Sequence, residues 1–181
     1  MDATWLEFLR GTPTPEHAAH VYVEIDELAA SVAGYLSSGF ADGEPAVVIA
    51  SSGHWELFAE TIAGCGWDVD KLEAQGLLVR ADADATLATF MDGTNPDPQL
   101  FEESVGGLVA EVAERFPDTT IRAFGEMVNV LCERNQPAAA SALEDLWNGL
   151  ATRHRFSLLC GYQQSNEALA EACRSHTRVL A

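Results

Sequence analysis

The residues best suited to chemistry in this chain are acids, amides, histidines and tyrosines set among apolar neighbours. Glu144 and Asn148 in ALEDLWNGL lie four apart, so a helix would place both on one face, with Trp147 beside them. Glu126 closes the run IRAFGE, and His20 and Tyr22 alternate in HVYVEI, which puts both on one face of a strand. Such groups either satisfy one another inside a fixed scaffold or face a pocket, where they would orient a ligand through hydrogen bonds. Plainer roles compete with these. Glu144 and Asn148 would brace nearby backbone, His20 and Tyr22 would form a satisfied core pair, and Cys160 in FSLLCGY would be a small core residue.

Several familiar chemical frames are missing from the sequence. A phosphate loop needs GxxxxGK[ST], and the one lysine, Lys71, has no glycine loop leading into it. The nucleophile elbow GxSxG is absent, and no Ser or Cys stands in a recognisable local motif with a base. Cys65, Cys132, Cys160 and Cys173 form no CxxC or CxxxC pair, which speaks against zinc, so neither a metal nor another cofactor is expected. SSGH, residues 51–54, either offers free amides to an anion at a helix start or is an ordinary N-cap.

The elements that must position these groups alternate. TWLEFLR reads as a short amphipathic helix closed by the breaker GTPTP, so residues 1–15 form a helix and linker and 16–181 a single domain. HVYVEI is strand-like, and DELAASVAGYLSSGF carries Leu28, Val32, Tyr35 and Leu36 at helical spacing with Asp26 as N-cap. PAVVIAS, LLVRA, TIRAFG and FSLLCGY are further strands. GHWELFAETIAGCG, ADATLATFM, the long QLFEESVGGLVAEVAERF and two helices over roughly 127–154 lie between them, with NEALAEACRSH last. About five strand–helix repeats predict an α/β fold with three layers, α/β/α, around a mostly parallel central sheet.

In such sheets ligands gather beyond the carboxyl ends of the strands. Those positions hold Tyr22, Glu24 and Asp26, then Ser51 to His54, then Asp82, Glu126 and Tyr162. The candidate ligand-binding residues are therefore His20, Tyr22, Glu24, Glu126, Glu144, Asn148 and Tyr162, none of them catalytic. Tyr22 and Tyr162 are expected to frame one cleft with His20, Glu126 and Asn148.

Composition narrows the partners. The 181 residues include 28 acids against 10 bases, a net charge of −18, and the arginines are scattered, with Arg153 and Arg155 the closest pair. Nucleic acid needs clustered Lys and Arg to displace counterions, and the same charge repels anionic lipid. Runs such as AVVIA are far shorter than the roughly 20 residues of a membrane span. The N-terminus MDATWLEFLRG is acidic rather than a secretory signal, so a cytoplasmic location with reduced cysteines is expected.

HVYVEIDEL, GFADGEPAVVIAS, GWDVDKLEAQGLL, RAFGEMVNVL, AAASALEDLWNGL, FSLLCGY and CRSH occur in this order over about residues 17–179. Together they resemble the MEDS domain, the methanogen/methylotroph sensory domain of DcmR type. That resemblance implies a RecA-like ATPase core that has lost its Walker A loop, with VYVEIDEL standing where the loop would be and Glu126 after the strand that would carry a metal-binding acid. It also implies a non-catalytic sensory module for a small, largely apolar organic ligand, working with a histidine kinase or an anti-sigma antagonist system. Because the chain ends soon after SHTRVLA, the signal is expected to pass to a separate partner; self-association is left open. Residual nucleotide binding and a purely structural interaction domain are the alternatives.

Overall fold

The computed structural model describes Phe8, residues 16–164 and residues 176–180. The segment expected to form the N-terminal helix, apart from Phe8, and most of NEALAEACRSH lie outside the described residues. Among the described residues six strands form one sheet: β1 (His17–Tyr22), β2 (Ala46–Ala50), β3 (Leu78–Asp82), β4 (Ile121–Gly125), β5 (Phe156–Gln163) and β6 (Arg178–Leu180). Their order is β3-β2-β4-β5-β1-β6, and every pairing is parallel. β6, at the edge, had no counterpart in the sequence pattern.

The helices are α1 (Ile25–Ala41), α2 (Ser52–Gly64), α3 (Val69–Ala74), α4 (Ala83–Phe90), α5 (Pro98–Phe101), α6 (Gly107–Arg115), α7 (Met127–Glu133) and α8 (Pro137–Ala151). AVVIA of β2 is buried at all five positions, as a strand covered on both faces must be. One core lies under α1, α2 and α3 with Ala18, Tyr22, Val48, Phe124 and Leu159 of the strands. The other lies under α4 to α8 with Ala19, Ile49, Ala123, Leu158, Cys160 and Tyr162. These are the three layers. Helices following β1 and β2 thus cover one face, and those following β3 and β4 the other.

Two helix ends depart from expectation. α1 starts at Ile25 with Glu24, not Asp26, at its N-cap, and the Glu27 carboxylate accepts from the amides of Val23 at 3.4 Å and Glu24 at 3.5 Å. Leu28, Val32, Tyr35 and Leu36 are fully buried as their spacing predicts. The long helix expected over QLFEESVGGLVAEVAERF is divided by a π turn, Glu102–Gly106. Phe101, Val105 and Val109 are all buried at steps of four, and each such step overshoots a helix face by about 40° at 3.6 residues per turn. The wider π turn absorbs that drift and keeps the three side chains on the core.

Candidate functional site

The first cluster is at the carboxyl ends of β2 and β4, neighbours whose following helices leave on opposite faces. Such a switch point opens a crevice in α/β sheets. Glu126, directly after β4, is 2% exposed. Its Oε1 lies 2.6 Å from His54 Nδ1, and its Oε2 accepts from the Ser51 amide at 2.9 Å. The anion at the SSGH helix start is therefore the protein's own carboxylate. Ser52 donates to Asp82 at 2.7 Å on the rim. Asn129 ties the same end together: its amide donates to Glu133 at 2.7 Å and its carbonyl accepts from Gln163 N at 3.0 Å. Burial, together with the charges of Glu126 and Glu133, pushes the Tyr22 hydroxyl well above its ordinary range.

The hydrogen bond that His54 donates to Glu126 holds the imidazole above its ordinary 6.5, with the charges of Glu126 and Glu133 adding to the effect against partial burial. For a base whose pKa is raised by folding, the added stability is fully present below the unfolded value and is lost as pH rises through the folded one. The stability difference between the wild-type chain and His54→Gln should therefore shrink as pH is raised from about 6 to about 9. Urea unfolding at several pH values measures it, and a difference that stays constant or grows would remove the charged pair.

The second cluster lies on the opposite side of β5 from α1, beneath α8. His17 at the start of β1, Cys160 in β5 and Glu144 on α8 are 7%, 1% and 0% exposed, and His176, just before β6, has its side chain fully buried. His17 Nδ1 lies 2.9 Å from Asn148 Oδ1, while its Nε2 lies 3.4 Å from Cys160 Sγ and 3.2 Å from Glu144 Oε2. Glu144 Oε1 accepts from the Tyr162 hydroxyl and lies 3.4 Å from His176 Nε2. The His17 and His176 rings are 4.2 Å apart. Burial pushes the Glu144 carboxyl up to about 8 although the Tyr162 hydrogen bond works against it. Burial also lowers the His17 imidazole, with the Asn148 hydrogen bond opposing, so its contact with Glu144 is not an ion pair of a charged histidine near neutral pH.

A family model described as MEDS, the MEthanogen/methylotroph, DcmR Sensory domain, matches residues 16–177. The chain belongs to the MEDS family. Comparison with curated protein sequences gives no match. The family is one of sensory domains, and the structure adds an all-parallel sheet with helices on both faces to it. Among the described residues no helix is long and apolar enough to cross a membrane.

Within this MEDS fold the residues singled out from sequence fall into three places. Glu144, Asn148 and Tyr162 meet in the second cluster. Glu126 belongs to the strand ends, and Glu24 is exposed at the start of α1. His20 and Tyr22 lie on the α1 face, whereas Tyr162 lies on the α8 face, so the sheet stands between the rings expected to frame one cleft. Alternation fixed which residues of one strand share a face, but not how the faces of β1 and β5 match. With register His20 to Gly161 and Val21 to Tyr162, the partner of Tyr162 points its way and Tyr22 does not. Both tyrosine rings are packed in closed cores, at 3% and 0% exposure.

His17 and His176 escaped the sequence reading, and Cys160 was read as a plain core residue. Parity was the one partial signal. Cys160 and Tyr162 share a face of β5, and Glu144 and Asn148 share a face of α8, but that these two faces meet is given by the fold and not by parity.

Proposed function

We propose that this MEDS chain is a non-catalytic sensory module that takes a small, largely apolar organic molecule at the strand-end crevice and passes its occupancy to a separate signalling protein, such as a histidine kinase or an anti-sigma antagonist system. The observation that carries this reading is membership of a sensory family over residues 16–177. Ser51, His54 and Glu126 at the β2–β4 switch point supply the few orienting polar groups that such a ligand needs. Phe58, whose ring centroid lies 6.1 Å from that of His54, is part of the apolar core beneath them.

The connection after β1 supports the same reading against a nucleotide. It consists of Val23 and Glu24 alone, without glycine, and the amides that a phosphate would want are directed to Glu27. Calorimetric titration with ATP and magnesium should give no binding in the micromolar range. Native mass spectrometry of the purified chain, followed by a thermal-shift screen of short hydrocarbon derivatives, should reveal a saturable ligand whose effect is reduced in His54→Ala. Micromolar ATP affinity, or a saturating ligand indifferent to His54→Ala, would overturn the assignment.

A further inference from the structure

We propose that His17, Glu144, Cys160 and His176 form a binding site for one divalent transition-metal cation of the zinc type. The four candidate ligand atoms lie within 4.8 Å of one another. Bonds of about 2.0–2.3 Å at tetrahedral angles set ligand atoms about 3.3–3.8 Å apart. The separations of 3.4 Å from His17 Nε2 to Cys160 Sγ and 3.2 Å from His17 Nε2 to Glu144 Oε2 are close to that scale, and the other carboxylate oxygen, Glu144 Oε1, lies 3.4 Å from His176 Nε2.

The donor types choose the metal. Two imidazoles, one thiolate and one carboxylate suit a borderline-soft cation, whereas magnesium and calcium require oxygen shells. Charge agrees with this choice. With both histidines neutral, one thiolate and one carboxylate balance a divalent cation, leaving a buried centre of zero net charge and a small desolvation penalty. Among the described residues Glu144 Oε2 is buried with no hydrogen-bond partner, although His17 Nε2 is 3.2 Å away. A cation between the two atoms would satisfy both.

The surroundings orient the ligands as metal sites require. Asn148 Oδ1 accepts from His17 Nδ1, which leaves the lone pair on Nε2 directed at Cys160 and Glu144. Tyr162 donates to Glu144 and fixes that carboxyl on α8. Thr177 locks the backbone beside His176 to His17: its amide and hydroxyl each donate to the His17 carbonyl at 2.8 Å. Four protein ligands in a buried place describe a closed site, of the kind that holds structure rather than activates water. Its effect would be to fasten the segment carrying His176 and β6 onto β1. The site lies under α8, away from the strand-end crevice, and stands independently of the ligand reading.

The test is titration of chelator-treated, reduced full-length protein with cobalt(II) as a spectroscopic substitute for zinc. One equivalent should give tetrahedral d–d absorption with a thiolate-to-cobalt charge-transfer band, and zinc should displace it. Cys160→Ser should lose the charge-transfer band, while Cys65→Ser, at an exposed cysteine, should keep it. Asn148→Ala removes the partner of His17 Nδ1 and should weaken cobalt affinity about 10–100-fold with an unchanged far-ultraviolet circular dichroism spectrum. If Cys160→Ser fails to fold, the Asn148→Ala affinity decides. Absence of a one-equivalent tetrahedral spectrum, a charge-transfer band surviving in folded Cys160→Ser, or unchanged affinity in Asn148→Ala would overturn the site.

Discussion

Replacing Glu44 with alanine should cost about 3–5 kcal/mol of unfolding free energy, because it removes the carboxylate that a fully buried guanidinium meets. Arg122 is fully buried in β4, and its Nε donates to Glu44 Oε2 at 2.7 Å. Glu44 itself is 4% exposed, so neither group has water as a substitute partner. The guanidinium also donates to the Tyr35 carbonyl at 3.3 Å, and its carbon lies 5.1 Å from the Tyr35 ring centroid. Tyr35 in turn donates to the Ser157 carbonyl at 2.8 Å, joining α1 to β5. Gly39 makes the room: a Cβ there would stand 2.8 Å from Arg122 Cγ. Truncating the acid removes the Coulomb partner but not the desolvation that Arg122 has already undergone. Replacing both residues with methionine removes the charge as well, so the double variant should be more stable than Glu44→Ala. Urea unfolding with unchanged slope measures both differences. A loss below about 1 kcal/mol in Glu44→Ala would place the pair in solvent instead.

The layers were legible because apolar runs such as AVVIA and the 3.6-residue spacing of Leu28, Val32 and Leu36 are local signals. The strand-end position of Glu126 was legible for the same reason. Other features depend on register between distant segments. His17 and Cys160 are 143 residues apart and meet because β1 lies beside β5, a pairing that no spacing rule reaches. Cysteine spacing examines sites built from local pairs and is silent about one cysteine joined by histidines from elsewhere. The separation of Tyr22 from Tyr162 is also a matter of register, since a one-residue shift between neighbouring strands would have put both rings on one face. His54 and Glu126 meet through the adjacency of β2 and β4, although their segments are joined by 72 positions of chain.

The acids and amides of α8 are held in place by Trp147, and its truncation to alanine should therefore be the other most damaging change. Trp147 is 1% exposed. Its ring meets Phe101 edge-on at 5.6 Å between centroids and Phe156 at 6.0 Å, so it ties α8 at once to α5 and to β5. On the sheet side it faces Gly125, where a Cβ would lie 3.9 Å from the indole. A bulkier strand residue would push α8 outward; glycine lets the indole lie close to the backbone of β4. Trp147→Ala removes the largest fully buried side chain among the described residues from an interface whose backbone is fixed by the sheet, leaving a cavity that cannot collapse fully, at a cost of about 3–5 kcal/mol. Trp147→Phe keeps ring contacts with Phe101 and Phe156 and should lose less. Gly125→Ala adds a methyl group at ordinary contact distance and should stay within about 1 kcal/mol of the wild type, in contrast to Gly39→Ala, whose methyl group would overlap Arg122. Urea unfolding of the four variants gives the order. If Trp147→Ala were no worse than Gly125→Ala, the indole would not be the support that positions Glu144 and Asn148, and α8 would have to be held by its aliphatic residues alone.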